Sequence, residues 1–136
     1  MKIMLDEGAY MPARAHEWDA GLDLYAMEEQ WIPGECGVEF NTGVHLEIPK
    51  GFVGLVKSRS GLMMKQKITT DGVVDAGYTG AIRVMLFNHG IFTHKVNRGD
   101  KIAQLVIVPC LIPELEVVER LDETDRGDNG FGSTGR

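Results

Sequence analysis

The residues best suited to chemistry sit just past the middle of the chain, in Gly72-Val73-Val74-Asp75-Ala76-Gly77-Tyr78-Thr79-Gly80. Val73 and Val74 are strand formers, and Ile82, Val84 and Leu86 alternate beyond them. The segment therefore predicts a hairpin, two strands joined by a tight Ala-Gly turn. Asp75 ends the apolar run and Tyr78 follows the turn. An acid and an aromatic ring on a rigid hairpin suit a small-molecule site. The same residues suit an ordinary turn in which the aspartate bonds its own backbone, and on local grounds alone that plainer reading is preferred.

Three other stretches carry polar groups in suggestive places. Lys57-Ser58-Arg59-Ser60-Gly61 puts a guanidinium, a hydroxyl and a glycine at a strand-to-helix transition, where backbone N–H groups and Arg59 suit phosphate oxygens. A helix cap beside a surface arginine explains it equally well. Gln104 lies between Ala103 and Leu105 in a strand opened by Arg98-Gly99-Asp100; a glutamine there commonly satisfies a local backbone group. The C-terminal stretch offers Arg126, Ser133, Thr134 and Arg136 as donors, with Phe131 as a stacking face among four glycines.

Common alternatives fail. The tail has no lysine where a P-loop needs one. His16-Glu17 lacks the second histidine of a metalloprotease helix. Asp125 to Gly130 lacks the terminal glutamate of a calcium loop. His16, His45, His89 and His94 do not cluster at ligand spacing, and His45 falls on the predicted solvent face of its strand.

The elements that must position these groups are short strands. Leu22, Leu24 and Ala26 alternate against Asp23 and Tyr25, and Val44 to Ile48 alternates again. Phe52 to Val56 and Ile102 to Val108 read as strands, as do Ile3 to Leu5 and Leu115 to Val118. Ser60 to Gln66 suits one or two helical turns, with Ser60 as N-cap. About ten strands with turn signals between them argue an all-β sandwich or barrel rather than a βαβ fold. Seventeen glycines and five prolines agree. Residues 1–125 are expected to form one domain, and 126–136 a flexible glycine-rich arm.

The formal net charge of −6 argues against a surface for nucleic acid or anionic lipid, while leaving room for a small anion held by a few focused arginines. Cys36 and Cys110 give neither a disulfide framework nor metal spacing, and fit a reducing compartment. The N-terminus meets charge too early for a signal peptide. The longest nearly apolar run, Leu105 to Pro113, is far short of a membrane span. The expectation is a cytoplasmic protein, or one in the cytoplasm or nucleus of an infected host if viral, with no nucleic-acid or membrane partner.

Taken together and in order, these stretches resemble the trimeric dUTP pyrophosphatase (dUTPase) family, from Ala20 to Gly135. The first motif is Ala20-Gly21-Leu22-Asp23-Leu24-Tyr25-Ala26 and the second Arg59-Ser60-Gly61-Leu62. The third is the predicted hairpin, extended through Ile82 to Asn88. The fourth is Arg98-Gly99-Asp100-Lys101-Ile102-Ala103-Gln104-Leu105. The fifth is Arg126-Gly127, then Gly130-Phe131-Gly132-Ser133-Thr134-Gly135. Each is weak alone; five in order are highly specific.

The resemblance implies an all-β, distorted jelly-roll or β-barrel fold with at most one short helix, in a homotrimer whose active sites are each built from three chains. It implies hydrolysis of dUTP to dUMP and pyrophosphate with Mg²⁺. Asp75 would orient and deprotonate the attacking water, and Tyr78 would pack under the deoxyribose. The backbone at Gly72, Val73 and Val74 would read the uracil. Arg59, Ser60, Gly61 and Gln104 would hold phosphates, and Asp23 would reach magnesium through water. The arm would close over the ligand, with Phe131 on the base and Arg126, Gly132, Ser133 and Thr134 on the γ-phosphate.

The chain departs from the family pattern at Ser58, where many members have proline, and at Thr79, where many have arginine. Ala81 replaces a common glutamate and Asn129 a frequent glycine. Thr69-Thr70-Asp71 lacks an asparagine that some members use beside the base. Two rivals share the fold. A dCTP deaminase would need a glutamate near the exocyclic amine, and the corresponding position is Met85. A non-catalytic nucleotide-binding regulator would have no need of Asp75, Arg59, Gln104 and an intact tail.

Overall fold

A computed structural model describes residues 1–129. It is all-β with one short helix, as the turn-rich, period-two sequence predicts. In chain order the elements are β1 (Lys2–Leu5), β2 (Gly21–Tyr25), β3 (Gln30–Ile32), β4 (Gly37–Asn41), β5 (Val44–Glu47), β6 (Phe52–Lys57), α1 (Ser60–Gln66), β7 (Ile68–Thr69), β8 (Asp71–Val74), β9 (Arg83–Asn88), β10 (His94–Val96) and β11 (Lys101–Pro109).

All the pairings are antiparallel. One sheet runs β2-β11-β6-β8 and a second β4-β9-β7, with two-stranded ribbons β1-β5 and β3-β10. β11 is the hub, with β2 on one edge and β6 on the other. Its Gln104 stands opposite both Asp23 and Lys57. A register shift between Lys101 and Ala103 marks a bulge at the start of this strand.

The core follows from the alternation. Val84, Leu86 and Asn88 of β9 face inward while Arg83, Met85 and Phe87 face out. Phe40, Leu24, Ile32, Ile68, Ile102 and Leu105 are among the largest side chains fully removed from solvent. Truncating Phe40 to alanine would cost about 3–5 kcal/mol, since rigid sheets cannot collapse into the gap. Asn88 is buried yet satisfied, donating from Nδ2 to the carbonyls of Ile32, Pro33 and Phe92.

Three expectations are corrected. β8 and β9 do not form a hairpin: β8 pairs with β6 in one sheet, and β9 with β4 and β7 in another. Residues 75–82 form a crossing between sheets, with buried Val74 before it and buried Ile82 at its end. Secondly, Ser60 is the first helical residue and not the cap. Arg59 takes the N-cap position with extended backbone, and its carbonyl accepts from Met63 N at 3.0 Å. The adjacent Ser58 hydroxyl is committed across the sheet, accepting from Thr70 N and donating to Thr70 O, both at 2.8 Å. Thirdly, Leu115 to Val118 forms no strand, and Leu115 and Val117 are almost fully exposed. No helix among the described residues is long and apolar enough to cross a membrane.

Candidate active site

The crossing between sheets is held by its own backbone. Tyr78 N donates to Asp75 O at 3.1 Å, and Gly77 turns at φ +95°, a left-handed conformation that a glycine takes without strain. The Tyr78 ring folds back over Gly80. A Cβ there would stand 2.5 Å from the Tyr78 hydroxyl oxygen and 2.7 Å from Cζ, so this close approach requires glycine. The Tyr78 hydroxyl donates to Ala81 O at 3.0 Å. Asp75 is exposed, and its carboxylate makes no hydrogen bond among the described residues. The plain turn in which Asp75 bonds its own backbone is therefore not what the chain adopts.

Asp75 and Tyr78 open onto a cleft of about 240 Å³ with Val56, Gly72, Val73, Val74, Ile82 and Arg83. Gly72, Val73 and Val74 of the predicted base reader are thus gathered beside the predicted base and sugar gate. Arg83 was not anticipated. Its outward position opposite Val84 and Leu86 is a signal that alternation supplies, and it is ion-paired with Glu39 of β4.

A second cleft, about 410 Å³, lies where β2, β11 and the start of α1 meet. Asp23, Arg59, Ser60, Gly61 and Gln104 line it with Ala15, Asp19, Ala20, Gly21 and Val106. Asp23 is buried between two cations: Arg59 Nε donates to one oxygen at 3.1 Å and Lys101 Nζ to the other at 2.7 Å. The hydrogen bond that Lys101 donates to Asp23, then that carboxylate's charge, raises the Lys101 pKa above the ordinary lysine value. Lys101 is a second unanticipated partner. Arg59 also reaches Lys101 O through Nη1 at 3.3 Å, which fixes the guanidinium plane at the cleft wall. Gln104 Nε2 donates to Ser58 O at 3.2 Å, as a local reading of a lone strand glutamine anticipates. Its Oε1 lies over Gly21, where a Cβ would come within 2.4 Å.

The two clefts share no lining residue. Arg126 lies in neither; its Nε donates to Asn129 O at 3.1 Å within its own exposed turn. Phe131, Gly132, Ser133 and Thr134 lie outside the described residues. Among the described residues no three His, Cys, Asp or Glu side chains are grouped to hold a metal. Asp23 nevertheless fits a hard cation reached through water. Mg²⁺ keeps several waters and is bound by one or two carboxylates plus substrate phosphates, and Asp23 presents one carboxylate at a cleft wall it shares with Arg59.

A sheet-built fold with a polar cleft at one place and an acid-bearing turn at another belongs to the β class and offers two sites to a small molecule. Comparison with known proteins makes this specific. The sequence matches the dUTPase family over residues 7–135, and the chain belongs to that family. It is 43% identical over 134 residues to the deoxyuridine 5′-triphosphate nucleotidohydrolase of Clostridium acetobutylicum, covering 96% of this chain and 92% of that protein. It is 46% identical over 134 residues to the enzyme of the same name from Gloeothece citriformis, with the same coverage. Among solved structures it is similar to the dUTPase of Staphylococcus bacteriophage 80alpha with dUPNHPP, at TM-score 0.93 and 32% identity, covering 99% of this chain and 98% of that one. It is also similar to a dUTPase variant from phage phi11 of S. aureus, whose structure concerns a structural Mg(II) ion, at TM-score 0.84 and 33% identity over 90% of this chain and 98% of that one.

Proposed function

We propose that the protein hydrolyses dUTP to dUMP and pyrophosphate, lowering dUTP and supplying dUMP for dTTP synthesis. The observation that carries the reading is the occurrence, in one family member, of a carboxylate with no hydrogen bond among the described residues beside an aromatic ring, and of a separate polar cleft that holds an arginine and a glutamine. Asp75 takes a proton from a water that attacks the α-phosphorus; the bond from that phosphorus to the bridging oxygen breaks, and pyrophosphate leaves. The Gly72–Val74 backbone reads the uracil edge, and Tyr78 lies under the sugar, where its ring leaves no room for a 2′-hydroxyl. Arg59, the Ser60 and Gly61 amides and Gln104 hold phosphate oxygens. Such catalysis is mostly positioning and charge neutralisation, so rigid groups on strand ends serve it.

Asp23 would hold Mg²⁺ through water, and the ion would supply charge neutralisation on the triphosphate. Asp23 is already balanced by Arg59 and Lys101, so its position in the cleft wall does not depend on the ion.

The working unit in this reading is a homotrimer. The segregation of Asp75 from the phosphate cleft within one chain supports a site completed by neighbours, as do the bare apolar side chains of Leu111, Ile112, Leu115, Val117 and Leu121. Residues 1–125 form the jelly-roll domain and 126–136 an arm that closes over bound nucleotide, with Arg126, Gly132, Ser133 and Thr134 on the γ-phosphate and Phe131 on the base. A reducing cytoplasm suits Cys36 and Cys110, neither of which is in a disulfide. The test is an assay against dUTP, dCTP, UTP and dTTP that scores pyrophosphate and ammonia separately. Pyrophosphate from dUTP alone is expected; ammonia from dCTP would overturn the reading.

A further inference from the structure

His45 points away from the core on β5, where alternation between buried Val44 and Leu46 places it, yet its side chain is only 17% exposed. Its Nδ1 lies 2.8 Å from Thr79 O, in the crossing between sheets, and its Nε2 lies 3.1 Å from Asp6 Oδ1. A carbonyl and a carboxylate can only accept. Both bonds therefore form together only when both ring nitrogens carry protons; a neutral ring satisfies one partner and turns a lone pair on the other. Asp6 is itself fixed, its N donating to Gly43 O at 2.9 Å and its carbonyl accepting from Ala9 N at 3.0 Å.

We propose that protonated His45 is a positioning residue, a latch that holds the Tyr78-Thr79 backbone to β5 and so sets how tightly the nucleotide's sugar is gripped. This rests on the role given above to Tyr78. Thr79 is the residue after that ring, and among the described residues the Tyr78 side chain makes a single hydrogen bond, to Ala81 O. A displacement of the turn is passed directly to the ring.

The charged groups around His45 define when the latch holds. From β1 and its following turn come Lys2 and Asp6, and from β5 itself Glu47, which is paired with Lys2 at 2.9 Å. The crossing that covers the ring carries Asp75 and Tyr78. The Thr79 carbonyl first, and the Asp6 carboxylate after it, raise the imidazole pKa above its ordinary value, against the opposing effect of burial. A group whose pKa is raised on folding contributes fully below its unfolded value, about 6.5, and its contribution is lost as pH rises through the raised value. The latch is thus closed below the ordinary histidine value and opens as pH rises through the raised one.

Two measurements on the full chain test this. NMR titration of the His45 ring should give a pKa above the ordinary histidine value, and Asp6→Asn should lower it. Titration at or below the ordinary value in the wild-type chain overturns the latch, whether or not the protein hydrolyses dUTP. Steady-state kinetics on dUTP across mildly acidic to alkaline pH then compare wild type with His45→Gln, whose amide can donate one hydrogen bond at every pH. The wild-type KM, taken as a ratio to that of the variant so that titration of the triphosphate cancels, should rise about fivefold with kcat unmoved. Asp6→Asn should flatten the same rise, and it serves alone should the glutamine variant not fold. A ratio constant across the range overturns the proposal. Absence of any dUTP turnover in the wild type would sink the functional reading and leave the NMR titration to decide the latch.

Discussion

The side chain that Gly21 lacks is what leaves room for Gln104: a Cβ on Gly21 would lie 2.4 Å from Gln104 Oε1 and 3.2 Å from its Cβ and Cδ. Gly21 backbone geometry is ordinary, so the requirement is one of space. Gly21→Ala should therefore displace a flexible amide and leave the sheet in place. We expect a melting temperature change equivalent to under about 0.5 kcal/mol with kcat/KM for dUTP down by about tenfold or more. A fall in stability without a kinetic defect would mean that Gln104 does not serve the ligand.

Asp75→Asn removes the proton acceptor and keeps the shape of the turn, whose hydrogen bond to Tyr78 N uses the Asp75 main-chain carbonyl. Turnover of dUTP should fall by about a thousandfold or more, while calorimetry with a non-hydrolysable analogue shows binding largely retained. Near-wild-type turnover would remove Asp75 from the mechanism.

Gly80→Ala should push the Tyr78 ring from its seat, because the new methyl would meet the hydroxyl oxygen at 2.5 Å and Cζ at 2.7 Å. The hydroxyl then loses Ala81 O. The expected readout is selectivity: the ratio of kcat/KM for dUTP over UTP should fall by about tenfold, the scale of one weakened steric or hydrogen-bond discrimination. An unchanged ratio with lower activity on both substrates would place sugar selection elsewhere.

Asp23→Asn leaves Arg59, in the cleft wall, and Lys101, beside it, without their carboxylate. Metal-free dUTP should bind more tightly to this variant, since two cations are released toward the triphosphate, and the Mg²⁺ concentration for half-maximal turnover should rise. Both follow from calorimetry with and without chelator. Weaker metal-free binding would show that the Asp23 bridge is needed to aim Arg59.

Much of the fold was legible because period-two alternation survives in the structure. Leu24 is buried as its pattern predicts, Val44 and Leu46 point inward, and β11 spans the long apolar run. Partner choice was not legible. Val73-Val74 and Ile82-Val84-Leu86 look like two arms of a hairpin, yet β8 is completed by β6 and β9 by β4, and nothing local distinguishes these outcomes. Leu115 and Val117 alternate like a strand but meet no partner among the described residues, and alternation alone does not make a strand without one. Alternation makes His45 a surface residue on a solvent face, and that is corrected: it points outward but is largely covered by residues distant in sequence, which no single-segment pattern contains.

If the proposed homotrimer builds each site from Asp75 of one copy and Gln104 of another, two inactive alleles should repair one another. In a cell making Asp75→Asn and Gln104→Ala chains in equal amounts, a site that draws its two clefts from different copies would be intact about a quarter of the time. Two alleles that damage the same cleft would restore nothing. The separation seen within one fold thus becomes a pattern of inheritance, in which complementation maps the boundary between the clefts.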